Sequence, residues 1–166
     1  CNAAYRDFTP DFLIAVDAKM VHELVQNNIP DKMSIWTNQN NKYLQHPNIN
    51  YFDPTKGWSS GPTALWFAST FNPTEIYILG FDYVGVDNNT KFNNVYASTP
   101  NYKRSHEPPT YCGNWLKQTE TTIKTFKEVK YIRVINSGDY IANWNYSNLE
   151  HINYQEFKKR VKYQND

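Results

Sequence analysis

Only two cysteines, Cys1 and Cys112, stand in this chain, so it carries no disulfide framework, and no paired Cys or His spacing of the zinc-site kind occurs. No apolar run approaches the ~20 residues that span a bilayer, and no charged-then-apolar segment of the signal type opens the sequence. A reducing, cytoplasmic setting is the expectation. Excess charge is lacking too: 17 Lys and Arg against 16 Asp and Glu leave a formal net charge of +1. The basic residues are dispersed, which gives no field of the kind that grips nucleic acid. Nor is there an internal repeat or a low-complexity linker. At 166 residues the chain suffices for one well-buried domain and is short for two, so residues 1–166 are expected to form a single domain.

Aromatic residues, by contrast, are plentiful. They make up 16% of the chain, with 13 Tyr and 5 Trp, and asparagine is abundant, so much of the buried area carries a polar handle that needs a partner. Such surfaces suit polar ligands, sugars included. The chain opens on Cys1, and "CNAAY" reads as the end of a strand running into a loop. That reading expects a further strand and its turn upstream, in a longer frame.

"FLIAVD" at residues 12–17 is a short apolar run closing on a carboxylate, which reads as a buried strand with Asp17 at its tip. Met20, Val21, Leu24 and Val25 then recur at helical spacing until "NNIP" stops them. Further short strands are expected at 33–37 and 49–52, separated by the polar stretch "NQNNKYLQHP". "SSGPTAL" starts a helix near Gly61 that runs to about Phe71, because serine or glycine caps and proline in the first turn presets φ. "EIYILGFD" at 75–82 is the strongest strand pattern, again ending in an aspartate. Residues 83–114 keep no period and hold the prolines of "EPPT", which marks a long excursion suited to a lid or binding loop. A helix at about 115–127, a strand at 131–136 and a terminal helix in "NYQEFKKRV" complete the pattern. Alternating helices and buried strands predict an α/β fold, a Rossmann-like three-layer sandwich around a mostly parallel sheet.

Ligands in open parallel sheets bind outside the carboxyl ends of the strands. On that edge the pattern puts Asn2, Asp17, Ser59 and Ser60, Asp82 with Tyr83, and Asn136 with Ser137. Asp17 is equally suited to capping the helix behind it, and Asp82 to bonding its own turn. Gly61 lets a ligand approach the backbone, and the helix start with its two hydroxyls can hold an anionic oxygen. His22 and His46 read as surface residues. His106, in "KRSHEPP" with Lys103 and Arg104 beside it, is the histidine that a moving cover could bring over the strand ends as acid or base.

"CNAAY", "GWSSGPTALWFA", "TEIYILGFDYVG" and "YIRVIN" resemble, in order and spacing, stretches of the bacterial sialyltransferases of glycosyltransferase family 42. More loosely the pattern is similar to the pterin-pyrophosphokinase-like family. The first resemblance implies a Rossmann-type domain that binds a nucleotide-activated sugar and transfers it to an acceptor hydroxyl on a glycan or small molecule. It implies donor contacts from Asn2, Ser59, Ser60 and Gly61, tyrosines such as Tyr96 and Tyr102 on the leaving phosphate, and a lid histidine as base. His106 is the histidine on offer for that role, although the family's own stands nearer the next helix, where this chain has Asn114, Trp115 and Lys117. Asp17 stands where the family has asparagine, and the family's glycine-rich nucleotide turn belongs ahead of Asn2.

Two other functions fit the same residues. Asp17 and Asp82 could hold Mg²⁺ against an ATP-like donor for pyrophosphoryl transfer. The pocket could equally serve a non-catalytic module for nucleotides or sugars. No resident cofactor is called for in the leading reading, and the oligomeric state is left open.

Overall fold

The computed structural model describes residues 1–39 and 46–163, and these form an α/β fold with two parallel three-stranded sheets. The first sheet holds β1 (Phe12–Ile14), β2 (Ser34–Asn38) and β3 (Ile49–Phe52) in that order. The second holds β4 (Glu75–Ile78), β5 (Lys130–Ile135) and β6 (Leu149–Asn153). The helices are α1 (Ala18–Gln26), α2 (Ser60–Ser69), the single turn α3 (Val86–Asn89), α4 (Gly113–Thr125) and α5 (Tyr154–Tyr163). Two 3-10 helices, Asn2–Arg6 and Ile29–Asp31, flank β1 and α1. Parallel strands joined through helices make the arrangement Rossmann-like. Most of the polar stretch expected between β2 and β3 lies outside the described residues.

The expected sheet is divided: among the described residues no ladder joins β1 to β4. Both strands are shorter than their apolar runs. β1 ends at Ile14, and the run after Ile78 leaves the sheet at Gly80, whose φ of +72° suits a residue without Cβ. Helix α2 bridges the division. Its "TALWFA" core has no polar stripe, and a helix apolar on every side must be covered on every side. Phe67 packs against Phe12, Trp36 and Phe52 of the first sheet at ring separations of 5.7, 4.7 and 5.6 Å. Leu65 joins Ile78, Ile123 and Tyr131 in the core of the second. Each such buried side chain contributes roughly 1.5–3 kcal/mol.

On the other side of the first sheet, Met20, Val21 and Leu24 of α1 close over Leu13, Ala15 and Ile35. Asn28 adopts φ of 52° and Pro30 follows, which is where the helical periodicity stops. In the second sheet, Ile132, Val134 and Ile152 meet Phe157 of α5. Strand β6 was not among the strands expected from the pattern, because Glu150 and His151 interrupt its apolar run. Glu150 is held there by Lys130 of β5 and Arg160 of α5, both at 2.7 Å. "CNAAY" forms a 3-10 turn rather than a strand end, with Asn2 at φ of 48°.

Candidate functional site

A pocket of about 230 Å³ opens beyond the carboxyl ends of β1 and β4, walled by the start of α2 and by both ends of the excursion 83–114. Helix α2 fixes its two sides. The Ser60 hydroxyl accepts the Val16 amide at 3.0 Å, which ties the helix start to the chain leaving β1. Across the pocket, a Cβ built on Gly61 would stand 3.2 Å from the Phe81 ring, so glycine lets α2 approach the chain leaving β4 without crowding that ring. No side chain caps α2, and Ser59 instead donates its amide to Oε1 of Gln118 at 3.2 Å. The hydroxyl of Ser59 and the first-turn amides of Ser60 and Gly61 therefore remain for a ligand.

Asn2 donates to Oδ2 of Asp17 at 3.1 Å, while its own Oδ1 is buried without a partner. Asp17 precedes α1 in the capping position but makes no capping bond. Its carboxylate turns to Asn2. Beyond β4, Asn93 of the excursion donates to Oδ2 of Asp82 at 3.4 Å and to the Val84 carbonyl at 3.2 Å. Burial pushes the Asp82 carboxyl above its ordinary value, Asp139 pushes the same way, and Arg133 opposes them. Tyr83 is 4% exposed and sits at φ of 63°, a left-handed conformation that is an outlier for a bulky residue. Strain of this kind gathers at sites where the surroundings over-determine the backbone. Burial pushes its phenol up to about 12.

Among the described residues no lysine, arginine or histidine lines the pocket, whereas Asp17 and Asp82 do. Asn2, Asp17, Ser59, Ser60, Gly61, Asp82 and Tyr83, all expected on the strand-end edge, meet here. Tyr102 lines an adjoining cavity of about 300 Å³ that shares Asn2 and Asp17, and its hydroxyl accepts the Ala3 amide at 3.3 Å. Tyr96 lies further off, bonded to Asp7 and packed on Tyr102. Neither tyrosine enters the main pocket. His106 is exposed on the excursion and outside the pocket lining. Asn136 and Ser137 are exposed in the turn after β5, where the Asn136 amide donates to Asp139 at 2.6 Å.

The sequence pattern missed Phe92, Asn93, Thr110 and Cys112 of the excursion and Trp115 of α4, which supply part of the wall. Their signal was weak: a tryptophan and a cysteine where an aperiodic stretch gives way to a helix. The excursion itself is tied down. Arg6 and Asn101 both donate to Glu23 of α1, and Arg6 also reaches Thr99 at 2.8 Å. Burial pushes the Glu23 carboxyl up, but its bonds to Tyr5, Arg6 and Asn101 outweigh that and hold it below its ordinary value.

No family model, curated protein or solved structure matches the chain. The geometry of the pocket therefore carries the functional argument.

Proposed function

We propose that the protein binds a nucleotide-activated sugar in the β1–β4 pocket and transfers the sugar to an acceptor hydroxyl, in the manner of the family 42 sialyltransferases that it resembles. The observation that carries this reading is convergence: "CNAAY", "SSGP" and "GFDY", distant in sequence, all contribute to one pocket at the carboxyl ends of parallel strands. In this reading the uncapped first turn of α2 and the Ser59 hydroxyl receive the phosphate oxygens, and Asn2 orients the sugar. Phe81 and Trp115 give flat apolar faces for a ring. His106 lies outside the pocket, so the acceptor's proton goes to Asp82, a carboxylate whose burial raises its basicity. The bond from the anomeric carbon to phosphate breaks, the acceptor oxygen takes that carbon, and the nucleotide leaves with the charge.

One observation favours a second reading. Two carboxylates and, among the described residues, no cationic side chain line the pocket, which suits a phosphate that arrives with a divalent cation. Among the described residues no group of three or more metal-ligating side chains forms, so Asp17, Asp82 and the ligand's own oxygens would share the ion. That arrangement fits pyrophosphoryl transfer.

A thermal-shift series with nucleoside monophosphates, triphosphates and nucleotide sugars separates the readings. A ligand at a hundred times its Kd stabilises by about 2.7 kcal/mol. Stabilisation by a nucleotide sugar that survives excess chelator, with nucleotide release on adding acceptor, supports transfer. Loss of all binding on chelation supports the cation reading. Asp82→Asn should keep the shift and cut release by about 10²–10⁴-fold. Binding without release by the parent protein would leave a binding module, and no shift with any nucleotide ends all these readings.

A further inference from the structure

Among the described residues no cationic side chain lines the pocket, but one stands behind it. Arg133, in the middle of β5, is 3% exposed. In register it lies between Ile78 of β4 and His151 of β6. By strand alternation it shares the face of Tyr131, on the side covered by α2 and α4 rather than by α5. An arginine there is unexpected, because a buried guanidinium is costly unless other groups compensate it.

Two contacts hold it, and its field reaches further. Nη1 donates to the Tyr140 carbonyl at 2.7 Å, which anchors the segment after β5. The guanidinium carbon stands 5.0 Å from the centre of the Tyr83 ring, within cation–π range. The field of the group reaches Asp82, which lines the pocket, and Asp139, in the turn after β5. Nε is buried with no partner among the described residues, so hydrogen bonding compensates the group only in part. What the position serves is the adjacent pair Asp82 and Tyr83. Tyr83 is wedged edge-on between Phe81 and Trp144, at 5.9 and 6.0 Å, with Arg133 on its ring face.

We propose that Arg133 is a positioning residue of the pocket: from beneath the floor it holds the Tyr83 ring in its strained seat and supplies the positive charge against which Asp82 carries its negative one. It touches no ligand. Its effect is to oppose protonation of a half-buried aspartate and to lend positive potential to a pocket with no cationic side chain among its described lining residues. An anionic ligand group then meets that potential through Tyr83 rather than through an ion pair. A surface lysine in the wall would be hydrated and mobile, whereas a buried arginine cannot lose its proton and cannot swing away.

The groups facing Asp82 are few. Arg133 comes from β5, Asp139 from the turn after it, Asn93 from the excursion, and Asp17 borders the same pocket. His151 of β6 faces Arg133, whose charge adds to burial in depressing the imidazole. Removing Arg133 leaves burial and Asp139 unopposed, so the Asp82 proton affinity rises.

The role within the site rests on the proposed binding function, but its test does not, because it needs no ligand. The ¹³C carboxyl resonance of Asp82, assigned by its loss in Asp82→Asn, is titrated in the parent protein, in Arg133→Met and in Arg133→Lys, while the Tyr83 ring signals are followed. In Arg133→Met the Asp82 midpoint should rise by about one unit, a tenfold stronger hold on its proton. Arg133→Lys should return the midpoint towards the parent value and still shift the Tyr83 signals, because lysine restores the charge and not the guanidinium group over the ring. A folded Arg133→Met protein with an unmoved Asp82 midpoint overturns the proposal. If Arg133→Met does not fold, the lysine variant decides: Tyr83 signals identical to the parent's overturn it. A filler of apolar volume would be matched by methionine and worsened by lysine, the opposite pattern.

Discussion

At the scale of single residues, the pocket depends on what Gly61 does not have. Its missing Cβ admits the Phe81 ring, which half-covers the site from the β4 side. Gly61→Val should push Phe81 away or into the pocket, at a cost of about 1–3 kcal/mol in stability as overpacking usually does. A lower Tm together with weakened nucleotide affinity is the expected result, checked by thermal unfolding and ligand titration. A lower Tm with unchanged affinity would move Phe81 out of the binding surface. Gly61 was legible beforehand, since a serine pair, glycine and proline before an apolar run mark a helix start in any fold. Tyr83 and Arg133 were not legible in the same way. Nothing local announces a left-handed tyrosine or a buried arginine, because both are set by neighbours about 50 residues apart in the chain and brought together by strand pairing.

At the scale of elements, the strands with continuous apolar runs were readable, while β6 was hidden by its own charges. "LEHIN" looks like a surface segment until Lys130 and Arg160 are seen on either side of Glu150. Those partners hold the Glu150 carboxyl down at about 2, below its ordinary value of 4.5. A depressed carboxylate contributes stability that is present above its unfolded pKa and fades as pH falls through the folded one. The advantage of the parent protein over Glu150→Gln should therefore be constant above about pH 4.5 and shrink towards zero between there and about pH 2. Partial exposure screens these pairs, so the advantage should stay near 1 kcal/mol or below. Denaturant unfolding of both proteins across that range gives the answer, and a difference that grows on acidification would rule the ion-pair account out. The strand ends show the limit of reading runs: "FLIAVD" and "EIYILGFD" each leave the sheet before their aspartate, which is why the aspartates reach the pocket.

At the scale of the whole molecule, the alternation of helices and strands foretold parallel pairing but not a divided sheet. Which strand edges find partners is decided by segments far apart in the chain, and no periodicity records it. The same long-range folding brings Cys1 and Cys112, at opposite ends of two-thirds of the chain, to one pocket as free thiols. Any ligand that fills the site should slow alkylation of both together. Time-resolved labelling with a maleimide, read by mass spectrometry with and without saturating nucleotide, would show parallel protection. Protection of one thiol alone would mean that the ligand sits to one side of the assigned volume.

Helix α2 has a consequence that extends beyond packing. Its far end carries Phe67, with Phe71 just beyond it, in an aromatic nest on the first sheet, while its near end carries Gly61 against the chain leaving the second. A rod seated in the cores of both sheets couples one to the other. Any tilt of the two halves is converted at its tip into a change in how wide the cleft stands, so remodelling the aromatic nest, a helix length away, should retune what the cleft admits.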